Sequence, residues 1–460
     1  MNLFHHYPHI YWQTACLTVN ASANEENDDN KSTNYGKIAA AIGEMQSQGV
    51  KIALPNINSA RFGFAPDPEN DQIIFGLKGL VGIGDDIVRQ IIEHRPYSSL
   101  QDFFQKNTSS IPLTAFITLV KAGCFDSLTK MPRTEIMHQL LDLIAQEKTE
   151  PKASLDFKNL GAVNSLKGFI PDRFDFAKRV VAFRSYVFQP HFQISKKPKA
   201  FALDKTAQIF FENELANRFF REDQDYYYSD DQLVVIHAKF EKVYKTIIEE
   251  FRTWLSSPQT VQDFNNRQKQ KFINEKWDQY CQGTIPKWEM DSLSFYYTEH
   301  ELAHVNAAQY DITPFPLIPV DPAVIAAQKR TDKKTGLETT WDKYQLYRIV
   351  GTVLDRDNNK HTITLLTPDG VVTVKLYAGA YAHYNKQISS VNADGAKKVL
   401  EKSWFTRGTK LLVTGIRRGD SFWPKKYNDS IYSHTICRIT DVLANGNLQL
   451  QLERADANEE

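Results

Sequence analysis

The stretch Phe75-Gly76-Leu77-Lys78-Gly79-Leu80-Val81-Gly82-Ile83-Gly84 sets two glycines around one apolar residue, just ahead of a helix-like run over residues 85–95. Glycine at Gly82 and Gly84 permits positive φ and lets the backbone approach an anion with no Cβ in the way. The helix that follows points its partially positive end at the same place. This is how a helix-hairpin-helix holds a DNA phosphate, which positions a protein on a duplex without reading bases. The alternative is a glycine-rich loop before a packed helix, and the surrounding chain has to decide between them.

Working outward, residues 116–126 (Phe-Ile-Thr-Leu-Val-Lys-Ala-Gly-Cys-Phe-Asp) form a second, poorer copy with Gly123 at its turn, so a tandem module is expected. Upstream, Tyr35, Ile38, Ala39, Ile42 and Met45 have helical spacing that stops at Gly49, and residues 50–54 read as a short strand. Residues 1–19 are apolar and aromatic from the start, with no polar lead-in, so the chain is expected to begin mid-domain, ahead of an acidic linker at 24–30.

Composition sets limits on function. A chain of 460 residues is long enough for roughly three domains, and 42% hydrophobic with 24% charged residues places it among soluble globular proteins. Lys+Arg and Asp+Glu are equal at 55 each, so nucleic-acid affinity must come from local basic faces; a histone-like binder is excluded. Cys16, Cys124, Cys281 and Cys437 lack CxxC spacing and fit buried thiols in a reducing compartment. Neither a signal peptide nor a membrane-length apolar run is found, and a cytoplasmic location in a bacterial cell or phage-infected host is expected.

Downstream, residues 135–280 are mostly helical in pattern, as at Val243, Ile247, Ile248, Phe251 and Trp254. The aromatic-rich set Phe210, Phe211, Phe219, Phe220 and 226–228 is expected to be core. Pro314, Pro316, Pro319 and Pro322, followed by the charged stretch 328–338, mark a linker. The texture then changes to short β-type runs at 346–354, 362–367, 371–377, 411–417, 431–439 and 448–452, with turns at 357–359, 368–370 and 445–447. About five strands with one longer insertion point to an OB-type barrel. Arg417, Arg418, Phe422, Trp423, Lys425, Lys426 and Tyr427 put cations and rings on one long connection, a mix that suits a single strand, because rings stack on bases while cations follow phosphates.

Taken together, these residues resemble the alpha subunit of bacterial DNA polymerase III, the C family of replicative polymerases, in a branch carried by some bacteriophages. Tyr7-Pro8 through Thr14-Ala15-Cys16-Leu17-Thr18 is similar to its fingers segment. Lys37-Ile38-Ala39, Gly49-Val50-Lys51-Ile52 and Pro55-Asn56-Ile57-Asn58 are similar to its next signature. Residues 75–84 look like its helix-hairpin-helix, 119–126 like the element closing that module, and 293–297 with His300-Glu301-Leu302 like the segment before its OB domain.

The resemblance implies template-directed DNA synthesis. It also implies that the palm aspartates, which hold two Mg²⁺ ions against the attacking and leaving oxygens, lie upstream of the fingers, so this chain is expected to start after them. No catalytic residue, metal ligand or cofactor is assigned here. The pairs Asp223/Asp225 and Asp355/Asp357 read as solvated turns. The expected partners are primer-template duplex, single-stranded template and a palm-bearing polymerase chain; a sliding clamp is a further candidate, and no membrane is involved. Lys78, Gly79, Gly82 and Gly84 would hold the duplex, and Arg417, Arg418, Trp423 and Lys425 the single strand. The family also has a clamp-binding peptide near this region, for which Gln139, Leu140 and Leu143 are loosely suitable, with Ser154-Leu155-Asp156-Phe157 as a second candidate.

The expected fold is α+β and multidomain, with a mostly α-helical N-terminal two-thirds containing tandem helix-hairpin-helix and a C-terminal OB-type β-barrel. Its expected divisions are a fingers remnant (1–56), a hairpin module (57–150), a helical region (151–327), a linker (328–341) and the barrel (342–455). Two rival functions stand beside the polymerase reading. One is a stand-alone DNA-binding or inhibitory module without synthesis. The other is a zinc hydrolase through His300-Glu301-Leu302-Ala303-His304, a literal HExxH; on a helix it would place both imidazoles on one face with Glu301 as general base. Ala307 and Tyr310 stand where a further turn and ligand would be needed. His5, His6 and His9 read as solvent-facing.

Overall fold

The computed structural model describes residues 9–21, 33–229, 231–331, 336, 338–391, 397–427 and 434–455. The expected aromatic opening through Pro8, with His5 and His6, lies outside the described residues, as do the acidic linker and the start of the expected strand at 431–433. The chain divides into two compact units: Met1–Leu140 with Tyr280–Glu460, and Leu141–Gln279.

The first unit opens with α1 (His9–Asn20), which buries Ile10 and Leu17, and α2 (Tyr35–Ser47). The Asn34 side chain accepts the Lys37 N–H and so caps α2, whose apolar residues Ile38, Ala39, Ile42 and Met45 fall on one buried face. A small sheet follows, with β1 (Lys51–Ala53) parallel to β3 (Gln72–Ile74) and β2 (Ala65–Asp67) antiparallel to it. Next come α3 (Asp85–Glu93), α4 (Leu100–Asn107), α5 (Leu113–Lys121) and α6 (Arg133–Lys148). Ser99 caps α4 by accepting the Asp102 N–H, while the Asp102 carboxylate accepts the Ser98 N–H. Phe103 of α4 is fully buried, with its ring edge-to-face against Tyr97 at 4.8 Å and Phe125 at 5.0 Å. Burial of one such side chain contributes roughly 1.5–3 kcal/mol.

The second unit is not helical throughout. Helix α7 (Asp175–Val187) is followed by a four-stranded antiparallel sheet built from β4 (Gln193–Lys196), β5 (Lys199–Ala202), β6 (Tyr226–Ser229) and β7 (Gln232–Ile236), in the order β4-β5-β7-β6. The sequence reading missed this sheet because strands of four or five residues are too short for a period-2 pattern to outweigh the helical runs around them. Helices α8 (His237–Ile247), α9 (Glu249–Ser256) and α10 (Pro258–Tyr280) follow. Phe211, Phe220 and Tyr226 are buried among Phe183, Phe201 and Phe240, in keeping with the expected core role, whereas Phe219 and Tyr228 of the same cluster are exposed.

The chain then returns to the first unit with α11 (Ile285–Leu293). Across the stretch expected to be a linker, β8 (Val324–Thr331) pairs antiparallel with β9 (Glu338–Tyr344). The β-branched and aromatic residues of this pair favour the paired form over open coil. The barrel comprises β10 (Tyr347–Asp357), β11 (Thr362–Thr367), β12 (Gly370–Lys375), helix α12 (Ala378–Asn385), the hairpin β13 (Ile388–Val391) with β14 (Lys397–Glu401), β15 (Lys410–Arg418) and β16 (Ser421–Pro424). Pairing runs β10-β11-β12-β16-β15 and returns to β10, with β12 and β16 parallel and the rest antiparallel. This five-strand ring with a helix after its third strand is an OB-type barrel. Strands β17 (Ile436–Val442) and β18 (Leu448–Gln451) extend it from β15. Val353, Ile363, Leu365, Val374, Leu411, Val413 and Phe422 alternate inward to fill it.

Candidate nucleic-acid interface

The hairpin runs from the 3₁₀ turn Leu77–Gly79 into α3. Gly82 has φ +75°, and a side chain added there would meet nothing within 4 Å, so the turn faces open space. Gly84 is extended at φ −81°, caps α3 and is equally open. Gly79 differs: a Cβ there would fall 2.9 Å from the Phe75 ring and 3.0 Å from Phe64, so its smallness serves packing. The hairpin is held internally, because the Gly82 N–H donates to the Tyr35 hydroxyl at 3.2 Å and that hydroxyl donates to the Leu80 carbonyl at 3.3 Å. Among the described residues, the N–H groups of Gly84, Asp85, Asp86 and Ile87 have no acceptor; these are the open donors of a helix N-terminus. The Lys78 ammonium is paired with the Asp85 carboxylate and largely covered.

The second copy is closed by the protein itself. A Cβ at Gly123 (φ +75°) would lie 2.7 Å from an Arg133 guanidinium nitrogen and 2.8 Å from the Asp126 carboxylate. That guanidinium pairs with Asp126 at 2.8 Å and with Glu289 at 2.9 Å. Burial raises the Asp126 carboxyl's pKa above its ordinary value, with Arg133 opposing the rise. One of the two glycine turns is therefore open and the other is plugged.

On the barrel, the sequence-predicted set divides. Arg417 is spent internally: its guanidinium donates to the carbonyls of Gly419 (2.9 Å), Phe315 (3.2 Å) and Ile318 (3.1 Å) and lies 4.5 Å from the Phe315 ring centroid. What read as a long connection is the tight hairpin between β15 and β16, with Phe422 turned into the core. Arg418 is exposed, 5.8 Å from the Trp423 ring and 5.9 Å from Tyr344. Lys425 lies 4.7 Å over Tyr344, and burial holds its pKa below the usual lysine value, with Arg418 adding to the effect. The sequence reading missed the other half of this face. Lys375 at the end of β12 lies 5.1 Å over Trp423, and Tyr377 two residues on is 70% exposed with its ring 6.0 Å from that of Trp423. The outward alternation Lys375-x-Tyr377 was the available signal; Tyr344 carried none. The face combines exposed rings with cations, and that is the composition that stacks bases and follows phosphates.

The remaining candidates take other roles. The HExxH residues lie in turns, not on a helix. The His300 Nε2 contacts the Leu366 carbonyl at 2.9 Å and Nδ1 accepts the Leu302 N–H at 3.0 Å, which uses both nitrogens. Glu301 bonds Tyr296 and Lys410, while His304 pairs with Glu299. The zinc reading is thus corrected, since the segment is too irregular to put two imidazoles on one face. Burial lowers the His300 pKa to about 4; Leu366 opposes the shift and Lys410 adds to it. Gln139 and Leu140 lie within α6, as does Leu143, and Leu140 is fully buried. The second clamp candidate has Leu155 buried and Asp156 capping a 3₁₀ turn. The paired aspartates serve as turn caps: Asp225 accepts the Arg221 N–H, and Asp357 those of Asn359 and Lys360. Cys124, Cys281 and Cys437 are buried and unpaired, and burial pushes the Cys281 thiol up to about 11. No helix among the described residues is long and apolar enough to cross a membrane.

An open glycine turn joined to an OB-type barrel with a ring-and-cation face is the architecture of a nucleic-acid-handling protein. Residues 49–135 match the family model described as "Helix-hairpin-helix motif". Over 465 aligned residues the chain is 42% identical to "Probable DNA polymerase YorL" of Bacillus subtilis (strain 168), covering 99% of this chain and 34% of that protein. The same figures hold for a "DNA-directed DNA polymerase" of Bacillus phage SPbeta. A stretch of 161 residues is 30% identical to "DNA polymerase III subunit alpha" of Chlamydia pneumoniae, covering 33% of this chain and 12% of that protein. The chain is therefore similar along nearly its whole length to one part of a bacterial and a phage DNA polymerase, and over a shorter stretch to part of a polymerase III alpha subunit. It spans about a third of the length of the relatives it matches throughout.

Proposed function

We propose that this chain is a DNA-gripping part of a C-family replicative polymerase, acting in the cytoplasm together with a palm that carries the catalytic aspartates. The carrying observation is the open Gly82 turn at the head of α3 in a chain related along nearly its whole length to a DNA polymerase. In this reading α3 offers four backbone N–H groups to a duplex phosphate, and the Trp423–Tyr377 face of the barrel takes single-stranded template. Metal-dependent phosphoryl transfer would belong to the palm, and a sliding clamp is a further partner to test. Lys78 contributes less than its position in the motif suggests, because Asp85 holds it.

The test is fluorescence anisotropy of the full chain with a primed template carrying a single-stranded overhang, across a salt series. Phosphate contacts make log affinity fall linearly with log salt, by about 0.9 per phosphate neutralised. Steep salt dependence that Gly82→Val weakens in a folded protein supports the reading. Absence of binding at low salt overturns it. Extension of the primer only after a palm-bearing chain is added would extend the reading to synthesis.

A further inference from the structure

Arg407 lies on the connection leading into β15, and none of the duplex-contacting motif residues predicted it. It lines an open depression with Thr33, Asn34, Tyr35, Gly36, Leu354 and Asp355. Its guanidinium sits 4.9 Å from the Tyr35 ring centroid. Among the described residues it has no hydrogen-bonded acceptor and no ion pair, although it is half-buried. Burial lowers its pKa, and Tyr35, Asp291 and Asp355 oppose that shift. A half-buried guanidinium that rests on a ring and has no hydrogen-bond acceptor among the described residues keeps its N–H donors for an anion entering the depression.

Tyr35 connects this cation to the hairpin. The ring that Arg407 covers is the one whose hydroxyl accepts the Gly82 N–H and bonds the Leu80 carbonyl. The barrel's arginine and the hairpin turn therefore both contact the same side chain, Tyr35. Asp291 beside Arg407, and Asp85 and Asp86 at the α3 end, are anions that would oppose a phosphate here, and Asp355 is the one that lines the depression. It packs against the first turn of α2, where a Cβ on Gly36 would meet its carboxylate, and the positive end of that helix offsets its charge.

We propose that Arg407 is the cation of a composite phosphate site, with Tyr35 as its floor and the α3 N-terminus as its backbone donors, so that barrel and hairpin hold one duplex strand together. The inference rests on duplex binding by the hairpin. The site takes a DNA backbone phosphate of any sequence, because every donor in it is a guanidinium or a backbone amide.

The experiment uses the full chain with two blunt duplexes of unrelated sequence, followed by anisotropy between about 50 and 200 mM salt. Arg407→Gln should weaken both duplexes alike and reduce the log–log salt slope by about one unit. Arg407→Lys should keep the slope. Tyr35→Phe, which removes no charge, should lower affinity with the slope unchanged. If the glutamine variant melts early, Arg407→Met, which keeps an apolar stem over the Tyr35 ring, replaces it. An unchanged slope in a folded Arg407→Gln or Arg407→Met protein overturns the inference. If Gly82→Val loses duplex binding while the Arg407 variants do not, the hairpin reading survives and the composite site alone fails. If the wild-type chain binds neither duplex, both fail.

Discussion

Arg133 and Glu289, 156 positions apart, meet in a 2.9 Å buried ion pair that ties the hairpin module to the helix where the chain re-enters the first unit. Glu289 is fully buried and fully used: its second oxygen accepts the N–H groups of Tyr297 and Thr298 and the Thr298 hydroxyl, each near 2.9–3.0 Å. A buried pair of this kind stabilises little relative to an apolar replacement, but breaking one partner leaves the other charge stranded. Glu289→Ala should cost about 3–5 kcal/mol, whereas Arg133→Ala also opens the space beside Gly123. The check is urea unfolding of both single variants and the double variant. The pair is the source of the stability if the double variant loses clearly less than the sum of the two.

A glycine in the barrel fixes a second expectation. The Cα of Gly415 lies so close to β16 that a Cβ would collide with the Trp423 carbonyl oxygen. That oxygen belongs to backbone and cannot step aside alone, so Gly415→Ala should push β16 away from β15. A destabilisation of about 1–3 kcal/mol is expected from such overpacking. It should be seen as a lower melting temperature and a weakened near-ultraviolet signal from Trp423. A melting curve that superimposes on wild type would show that the strands separate at no cost.

The duplex site contains its own brake. Asp85 and Asp86 stand in the first turn of α3, beside the open N–H groups, and among the described residues only Asp85 of the two has a cationic partner, Lys78. Acidic residues there help the helix by about 0.3–1 kcal/mol and repel a phosphate approaching the same donors. Asp86→Asn should therefore bind duplex roughly 2–5-fold more tightly at low salt, with a slightly less stable helix. Anisotropy at two ionic strengths checks both parts, because the gain should shrink as salt screens it. Equal affinity at low salt would place the bound phosphate elsewhere.

Much of this was legible in the sequence and some of it could not be. The Gly82 turn, the helix at 35–47 and strand 362–367 follow from glycine placement and apolar periodicity, which are local. The core role of Phe211 and Phe220 followed from their density. The internal contacts of Arg417 were not legible, because its partners, the carbonyls of Phe315 and Ile318, lie about a hundred positions upstream and leave no mark next to it. For the same reason Arg407 was invisible and nothing near Gly123 showed that its turn is filled: the groups that decide each one, Tyr35 and Arg133, are set by tertiary packing. The His300 motif had the right letters but sits in turns, where spacing in sequence does not become spacing on a face.

His300 gives a pH-dependent expectation. Burial lowers its folded pKa to about 4 from an ordinary 6.5. Between those values the unfolded chain binds the proton and the folded protein does not, so stability is full above about 6.5 and falls as pH drops toward 4. The loss is on the order of a few kcal/mol. His300→Gln should flatten the wild-type dependence in that window while lowering stability at neutral pH. Denaturant midpoints measured at pH values across the window decide it. A parallel decline in the variant would assign the acid sensitivity to the carboxylates.

The barrel face makes the sharpest separation between arginines that are neighbours in sequence. Arg417 and Arg418 look equivalent in the chain, yet one is consumed by the carbonyls of 315–318 and the other lies exposed beside Trp423 and Tyr344. Arg417→Gln should therefore lower the melting temperature and leave the salt slope for a single-stranded oligonucleotide unchanged. Arg418→Gln should leave stability unchanged and reduce that slope by about 0.7, the value for one phosphate on a single strand. Trp423→Ala and Tyr377→Ala should each weaken single-strand binding by about 1–3 kcal/mol, as loss of one stacked base requires, with little change for a blunt duplex. Equal loss for duplex and single strand would mean that hairpin and barrel do not divide the two forms of DNA between them. A slope change in the Arg417 variant with no loss of stability would mean that its carbonyl contacts give way to phosphate when DNA binds.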